Sequence, residues 1–330
     1  MEGNDLPNPQ EVVALYKSQG INKMRIYHPN QQLLQALRGS DIELMLGVPN
    51  TELQSLTDKA AATRWVETNV LSYLPDVKIK YVAVGNEVTP INRHSIYAPF
   101  VVPAMTNIYD SIRSAGHWGQ VKVSTSIDTG VLETSYPPSA ASFRGNVLSY
   151  MNSVIGFLSD TQAPILVSVY PYFGRASNGS NITLPYVLFT KTTPEFTDPG
   201  NNLQYYNLFD AELDGLYAAT EKVSGASSNS TLNNTHLSNV SYVVTETGHP
   251  KAASSGQILD TGDETIDNAC TYYQNVIRHV RKGTPKRPEV PIETYLFAMF
   301  DENLKAPGIE RHFGLFYPNK APACEINFRE

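Results

Sequence analysis

Two cysteines in 330 residues, Cys270 and Cys324, are too few for a disulfide scaffold, and neither stands in a metal-ligating or redox spacing. The two can pair or stay as free, small apolar residues; a chain of this length builds a core that needs no staple, which favours free thiols. No apolar run approaches the roughly 20 residues of a membrane helix. No hydrophobic leader opens the chain, whose first residues are the polar, turn-forming MEGNDLPNPQ. Lys and Arg form no cluster on any expected helix face. The net charge of −7 then tells against nucleic acid or an anionic membrane as partner. No Gly-x-Gly-x-x-Gly turn follows the first strand and no P-loop is present, which disfavours dinucleotide and nucleotide-phosphate binding. The histidines show neither a His-Glu-x-x-His spacing nor a nucleophile-elbow partner. No metal and no cofactor are therefore expected.

What is present is an ordinary globular composition, 41% hydrophobic and 17% charged. Apolar strands and helical patterns alternate along it. PNPQEVVALYKSQG reads as a helix opened by Pro9 and closed by Gly20. MRIYHP, IELMLGVPN, IKYVAVGNE, VKVSTSI, ILVSVYPYF (165–173), YVVTETG (242–248) and ETYLFAMFDEN (293–303) read as seven strands, most of them separated by helices. Continuous apolar runs are the mark of strands buried on both faces. Strict alternation predicts a parallel sheet, either a barrel or doubly wound. One domain over residues 1–330 is the simplest organisation, with an elaborated region near residues 174–240. Five Asn-x-Ser/Thr sequons, at Asn178, Asn181, Asn229, Asn233 and Asn239, fall inside that region and point to an exposed face of a protein that passed through the secretory route. A Ser/Asn-rich loop without sugar is the plainer alternative.

Chemistry-bearing residues collect at the strand ends, which in a parallel barrel face one mouth. Two carboxylates stand out there, Glu87 after VAVGN and Glu246 within VVTETG. Two acids in one cleft divide their labour when one is held protonated by burial and the other stays charged, the arrangement that glycoside hydrolysis uses. Tyr27, Tyr170, Tyr172 and Phe173 at other strand ends suit the apolar faces of sugar rings. A lone strand-end Glu is more often a helix cap or an ion-pair partner than a catalyst, and aromatic strand ends are more often rim packing. His249 is the one histidine placed close to a candidate acid.

At VAVGNEV (82–88) and VVTETGHP (243–250) the sequence resembles plant glycoside hydrolase family 17, the endo-β-1,3-glucanases and their relatives. EVVALYKSQGINKMRIY, LMLGVPN, VSVYPYF, FAMFDENLK and ERHFGLFYPNKAP extend the likeness over nearly the whole chain, in the family's order. The resemblance implies a (β/α)8 TIM barrel of the α/β class and retaining endo-hydrolysis of β-1,3-glucosidic bonds in β-glucan polysaccharides or oligosaccharides, in plant defence or cell-wall metabolism. It assigns Glu87 as acid/base and Glu246 as nucleophile. It places Tyr27, Asn86, Tyr170, Phe173, Glu302, Lys305 and Glu310 around the substrate, with the last three supporting the acid pair electrostatically. It implies a monomer that is secreted to the cell wall or held in the vacuole. Three departures accompany it. The family's opening strand is missing before Gly3-Asn4-Asp5-Leu6-Pro7, so the barrel is expected to lack or replace its first strand and to show two open edges. His249 stands where the family has a Trp beside the nucleophile, and His28 where many members have a small polar residue. The alternatives these leave are a non-catalytic glucan-binding or defence-related protein on the same barrel, and a mixed-linkage β-1,3;1,4-glucanase.

Overall fold

The computed structural model describes residues 2–226, 240–253 and 261–329. Seven strands form one parallel sheet in chain order: β1 (Lys23–Ile26), β2 (Glu43–Val48), β3 (Lys78–Asn86), β4 (Lys122–Asp128), β7 (Ile165–Ser168), β10 (Tyr242–Thr247) and β11 (Thr294–Leu296). Four more make two short antiparallel hairpins, β5 (Leu132–Thr134) with β6 (Ser142–Phe143) and β8 (Phe196–Thr197) with β9 (Gln204–Tyr205). The helices α1 (Pro9–Gln19), α2 (Gln31–Leu37), α3 (Lys59–Asn69), α4 (Ala98–Ser114), α5 (Leu148–Thr161), α8 (Leu208–Ala226) and α9 (Ile266–His279) alternate with the strands. The short α6 (Pro171–Asn178) and α7 (Leu184–Val187) belong to the elaborated region with the β8–β9 hairpin.

The sheet curls into a nearly closed barrel because its strands are apolar on both faces. Leu44, Leu46, Val82, Val84, Val123, Val167 and Val244 join the large core cluster of sheet and helices. The residues between them, Met45, Tyr81, Ala83, Leu166, Val243 and Tyr295, meet in a separate cluster of their own inside the barrel. Period-2 alternation thus fills two cores from one set of strands. Charges cap the inner cluster at the strand starts. Glu293 accepts from Lys80 Nζ at 3.0 Å, Tyr81 Oη at 2.9 Å and Tyr295 Oη at 3.2 Å, while Glu43 accepts from Lys23 at 3.0 Å and Lys80 at 3.2 Å.

The order runs from β1 to β11 without pairing them, so the seven-stranded sheet has the two open edges the sequence led one to expect. Residues 2–4 do not fill the gap as a strand. They lie along residues 302–304 instead, with the Leu304 N–H bonded to the Glu2 carbonyl at 2.9 Å and the Asn303 and Asn4 side chains paired at 2.7 Å.

Three expectations need correction. The strand expected over 165–173 ends at Ser168, and Pro171 opens α6. Proline has no N–H for a ladder, and its fixed φ suits the first helical turn. The strand expected over 293–303 is regular only at Thr294–Leu296. Beyond it the backbone turns to pair with the C-terminal segment, Ala298 with Phe313 at 3.0 Å and with Leu315 at 2.8 Å, and Asp301 with Phe316 at 3.2 Å. Gly314 permits that approach, since a Cβ there would fall 2.2 Å from the Asp301 nitrogen.

The third correction concerns the cysteines, which are bonded to each other and not free. Cys270 on α9 and Cys324 form a disulfide with Cα atoms 5.9 Å apart. The C-terminal segment has no helix or strand ladder of its own after the turn at Ile309–Arg311, and the bridge ties it to α9. In the chain-entropy account, closing this 54-residue separation is worth about 4 kcal/mol. The double substitution Cys270→Ser/Cys324→Ser is expected to lower the melting temperature by many degrees. An unchanged calorimetric Tm would show that the bridge holds nothing.

Candidate active site

The C-terminal ends of the parallel strands open into a cavity of about 1800 Å³ that continues down the gap between β1 and β11, where Lys23, Ile292 and Glu293 at the strand starts also line it. All nine of the site residues picked out in the sequence, Tyr27, Asn86, Glu87, Tyr170, Phe173, Glu246, Glu302, Lys305 and Glu310, line it. The barrel brings them together from five strands and the loops that follow.

Glu246 lies on β10, one residue from its end, and is 6% exposed. Its carboxylate accepts from three donors. Arg25 Nη1 reaches Oε1 at 2.7 Å, Tyr27 Oη reaches Oε1 at 2.9 Å, and Tyr170 Oη reaches Oε2 at 2.9 Å. Burial pushes both phenols well above the usual tyrosine range, and the Glu246 charge adds to it, so both remain protonated donors. Arg25 is itself fixed. The same Nη1 donates to the Thr245 carbonyl at 3.0 Å, Nη2 donates to Asn86 Oδ1 at 2.6 Å, and the guanidinium stands 4.5 Å from the Tyr27 ring centroid. Asn86 therefore meets Glu246 through Arg25. Its backbone is clamped from β2's end, where Asn50 accepts from the Asn86 N–H at 2.7 Å and donates to its carbonyl at 3.1 Å.

Glu87 follows β3 directly and adopts a left-handed backbone, φ 50°. Its N–H is held by the Ser126 carbonyl at 2.9 Å. Burial raises its pKa to about 7, and the negative charge of Glu246 raises it further than Asp128 does. The Ser168 hydroxyl and Arg25 oppose the shift without cancelling it. The cleft thus holds one carboxylate saturated with donors and one carboxyl that keeps its proton near neutrality.

Around the pair stands an aromatic wall. Tyr170 packs on Phe173 at 5.3 Å and edge-on to Phe313 at 6.0 Å, and Phe313 packs on Phe297 at 5.5 Å. Glu302, 7% exposed, pairs with Lys305 at 2.9 Å, and the Lys305 ammonium lies 4.2 Å from the Phe297 ring centroid. Lys305 is thus spent on Glu302 and the ring. The cation that meets Glu246 is Arg25, which sequence reasoning missed. The signal was there: Arg25 and Tyr27 stand two apart in MRIYHP, and period 2 puts both on the barrel's inner face. Glu310 is exposed at the rim, on the turn Ile309–Arg311. His28 lines the cleft and is exposed.

His249 is a correction. Although three residues from Glu246, it is not among the cleft-lining residues. It is 1% exposed, its ring 5.1 Å from that of Tyr172 and 6.0 Å from that of Tyr272, with Nδ1 against the Pro250 carbonyl at 2.9 Å. Burial lowers its pKa. It is a packed neutral imidazole and brings no charge to the acids. Tyr172 likewise turns away, bonded to Glu264 rather than set in the cleft wall. Of the sequons, Asn178 and Asn181 are exposed beside α6, while Asn229, Asn233 and Asn239 lie outside the described residues.

Like charge in a low-dielectric cleft is part of what holds the Glu87 proton, so Glu246→Gln is expected to lower the Glu87 pKa below about 7. A carboxyl carbon NMR titration of wild type against the variant reads this directly. An unmoved titration would show that the two acids do not sense each other.

The family model for glycosyl hydrolases family 17 matches residues 1–328. The chain is 48% identical, over 99% of its length and 84% of the relative's, to a Nicotiana plumbaginifolia protein named as the basic vacuolar isoform of glucan endo-1,3-beta-glucosidase. It is 49% identical to a Pisum sativum glucan endo-1,3-beta-glucosidase, over 99% of this chain and 83% of that one. Among solved structures it superposes on a beta-1,3-glucanase and allergen of Cryptomeria japonica pollen with a TM-score of 0.89 at 41% identity, covering 99% of this chain and 97% of the other. One of two plant beta-glucan endohydrolases with distinct substrate specificities matches with a TM-score of 0.88 at 40% identity, over 99% and 98% of the two chains.

Proposed function

The chain belongs to glycosyl hydrolase family 17, and from that footing we propose that it cleaves internal β-1,3-glucosidic bonds of β-glucans with retention at the anomeric carbon. The observation that carries this reading is the pairing of Glu87, protonated to about pH 7, with Glu246, held by Arg25, Tyr27 and Tyr170 in the same cleft. A glucan lies along the cleft with its ring faces against Tyr170 and Phe173. A Glu246 oxygen attacks C1 as the bond from C1 to the glycosidic oxygen breaks, and the Glu87 proton passes to the departing oxygen. The product of that step is a glucosyl ester on Glu246. Glu87, now a carboxylate, takes a proton from a water whose oxygen attacks C1. The ester bond breaks, the Glu246 carboxylate is restored, and Glu87 is again an acid.

Arg25 and the two tyrosines hold Glu246 at the attacking angle and then stabilise it as a leaving carboxylate in the second step. Glu302 and Lys305 shape the adjoining wall. The position of His249, behind Tyr172 and outside the cleft, removes its replacement of a Trp as a reason to read the barrel as non-catalytic. The disulfide between Cys270 and Cys324 and the exposed sequons at Asn178 and Asn181 support passage through an oxidising secretory route to the cell wall or the vacuole. No helix among the described residues is long and apolar enough to cross a membrane.

The test is reducing-sugar release from laminarin, with mixed-linkage barley glucan beside it. Wild type is expected to release sugar from laminarin, and Glu246→Gln to lose at least about a thousandfold, since no nucleophile replaces the carboxylate. The wild-type kcat/KM should fall as pH rises through about 7, because Glu87 must enter the reaction protonated. Turnover by Glu246→Gln near the wild-type rate would end the mechanism. Barley glucan cut faster than laminarin would replace the linkage with a mixed one.

A further inference from the structure

Glu87 is held in a conformation that residues other than glycine adopt rarely, at φ 50°. Rotation at φ or ψ there would swing the carboxyl out of the cleft, so both flanking peptide groups must be fixed. The N–H is fixed by β4 through the Ser126 carbonyl at 2.9 Å. The carbonyl is fixed by a side chain from the loop before α4: Asn92 Nδ2 donates to the Glu87 oxygen at 2.6 Å. The same Nδ2 reaches Asp128 Oδ2, at the end of β4, at 3.3 Å. Asn92 is itself oriented, since its Oδ1 accepts from the His94 N–H at 2.9 Å and its carbonyl from the Ser95 N–H at 3.0 Å. Asp128 in turn is anchored by the Gly130 N–H at 2.7 Å. One more clamp lies a residue further on, where Tyr150 Oη donates to the Val88 carbonyl at 2.6 Å.

We propose that Asn92 is a positioning residue for the reaction: by bridging the Glu87 carbonyl and the Asp128 carboxylate, it locks the left-handed backbone at Glu87 and aims the acid into the cleft. The inference rests on the reading of Glu87 as acid/base. Asn92 touches no reacting atom. It couples the position of the acid to β4, so that the loop between β3 and α4 cannot drift without moving Asp128 as well. A displacement of about 1 Å at an acid costs on the order of a hundredfold in rate.

Three proteins test it: Glu87→Gln, Asn92→Ala and Asn92→Asp. The Asp variant keeps the acceptor that caps the His94 N–H and loses the donor to Glu87, so it separates loop folding from the positioning of the acid. Kinetics are run on laminarin and on a laminaribioside with a dinitrophenyl leaving group, which departs with little help from an acid. Loss of laminarin hydrolysis in Glu87→Gln, with the activated substrate spared in kcat/KM, first establishes the underlying reading. Both Asn92 variants are then expected to lose about 10- to 100-fold in kcat on laminarin with KM nearly unchanged, and to keep kcat/KM on the activated substrate within about threefold. Equal losses on both substrates, or a laminarin rate like wild type in Asn92→Asp, would overturn the positioning role while leaving Glu87 in place. A Glu87→Gln variant that retained full laminarin activity would instead overturn the reading on which the inference stands.

Discussion

Two carboxylates, Glu246 buried and Glu87 half-buried, share one cleft, and their mutual repulsion is the constraint around which the site is built. Both ionised, they would raise each other's energy in a medium that screens poorly. The protein resolves this unequally. Glu246 receives a guanidinium and two phenols, which satisfy an acceptor-only group in a buried place. Glu87 receives no charge-assisted partner at its carboxyl and keeps a proton to about pH 7. The asymmetry is self-consistent: the negative charge of Glu246, paired with Arg25, is part of what prevents Glu87 from ionising. Arg25 depends on this as much as Glu246 does. With both side chains under a tenth exposed, deleting either partner of such a buried pair strands the other at a cost of about 3–5 kcal/mol.

The barrel supplies the geometry that this chemistry needs. Strands apolar on both faces fill an inner and an outer core, which leaves their C-terminal ends free to carry polar groups without loss of packing. Arg25 and Tyr27 come from the end of β1, Glu87 from the end of β3, Tyr170 from the end of β7 and Glu246 from β10, elements far apart in sequence that one parallel sheet gathers at a single face. The opposite end is closed by the Lys80, Glu43 and Glu293 network over Tyr81 and Tyr295. Each acid is fixed by backbone as well as side-chain contacts, Glu87 through its left-handed turn and Glu246 through the ladder of a central strand. Rigidity of this order is what a fixed approach to an anomeric carbon requires.

Much of this was legible in the chain. The apolar strand runs and their alternation with helices gave the parallel sheet and its seven strands, because burial on both faces leaves no other pattern. Glu87 and Glu246 were conspicuous as acids set against buried strands. Arg25 was not, because one charge within MRIYHP reads as a strand-edge residue until the sheet closes and period 2 turns it inward beside Tyr27. The disulfide was misjudged for a different reason. Whether a core needs a staple says nothing about whether an irregular C-terminal segment does, and the sequence separation of 54 between Cys270 and Cys324 conceals that their Cα atoms lie 5.9 Å apart. His249 misled by sequence proximity. Gly248 admits no Cβ, with the Phe297 carbonyl 2.2 Å from where one would lie, and past this close approach the next side chain packs behind Tyr172. Asn92 carried no signal at all, since its meaning depends on the positive φ five residues earlier.

The central claim is the division of labour between the two acids, and covalent trapping tests it most directly. A 2-deoxy-2-fluoro-laminaribiosyl fluoride forms the glucosyl ester quickly and loses it slowly, because the fluorine at C2 destabilises both oxocarbenium-like transition states while the fluoride leaves without acid help. Mass spectrometry of peptides from the inactivated protein should find one sugar adduct per chain, on the strand segment that contains Glu246. An adduct on the segment that contains Glu87, or hydrolysis of the reagent with no adduct and with inversion at C1, would contradict the account.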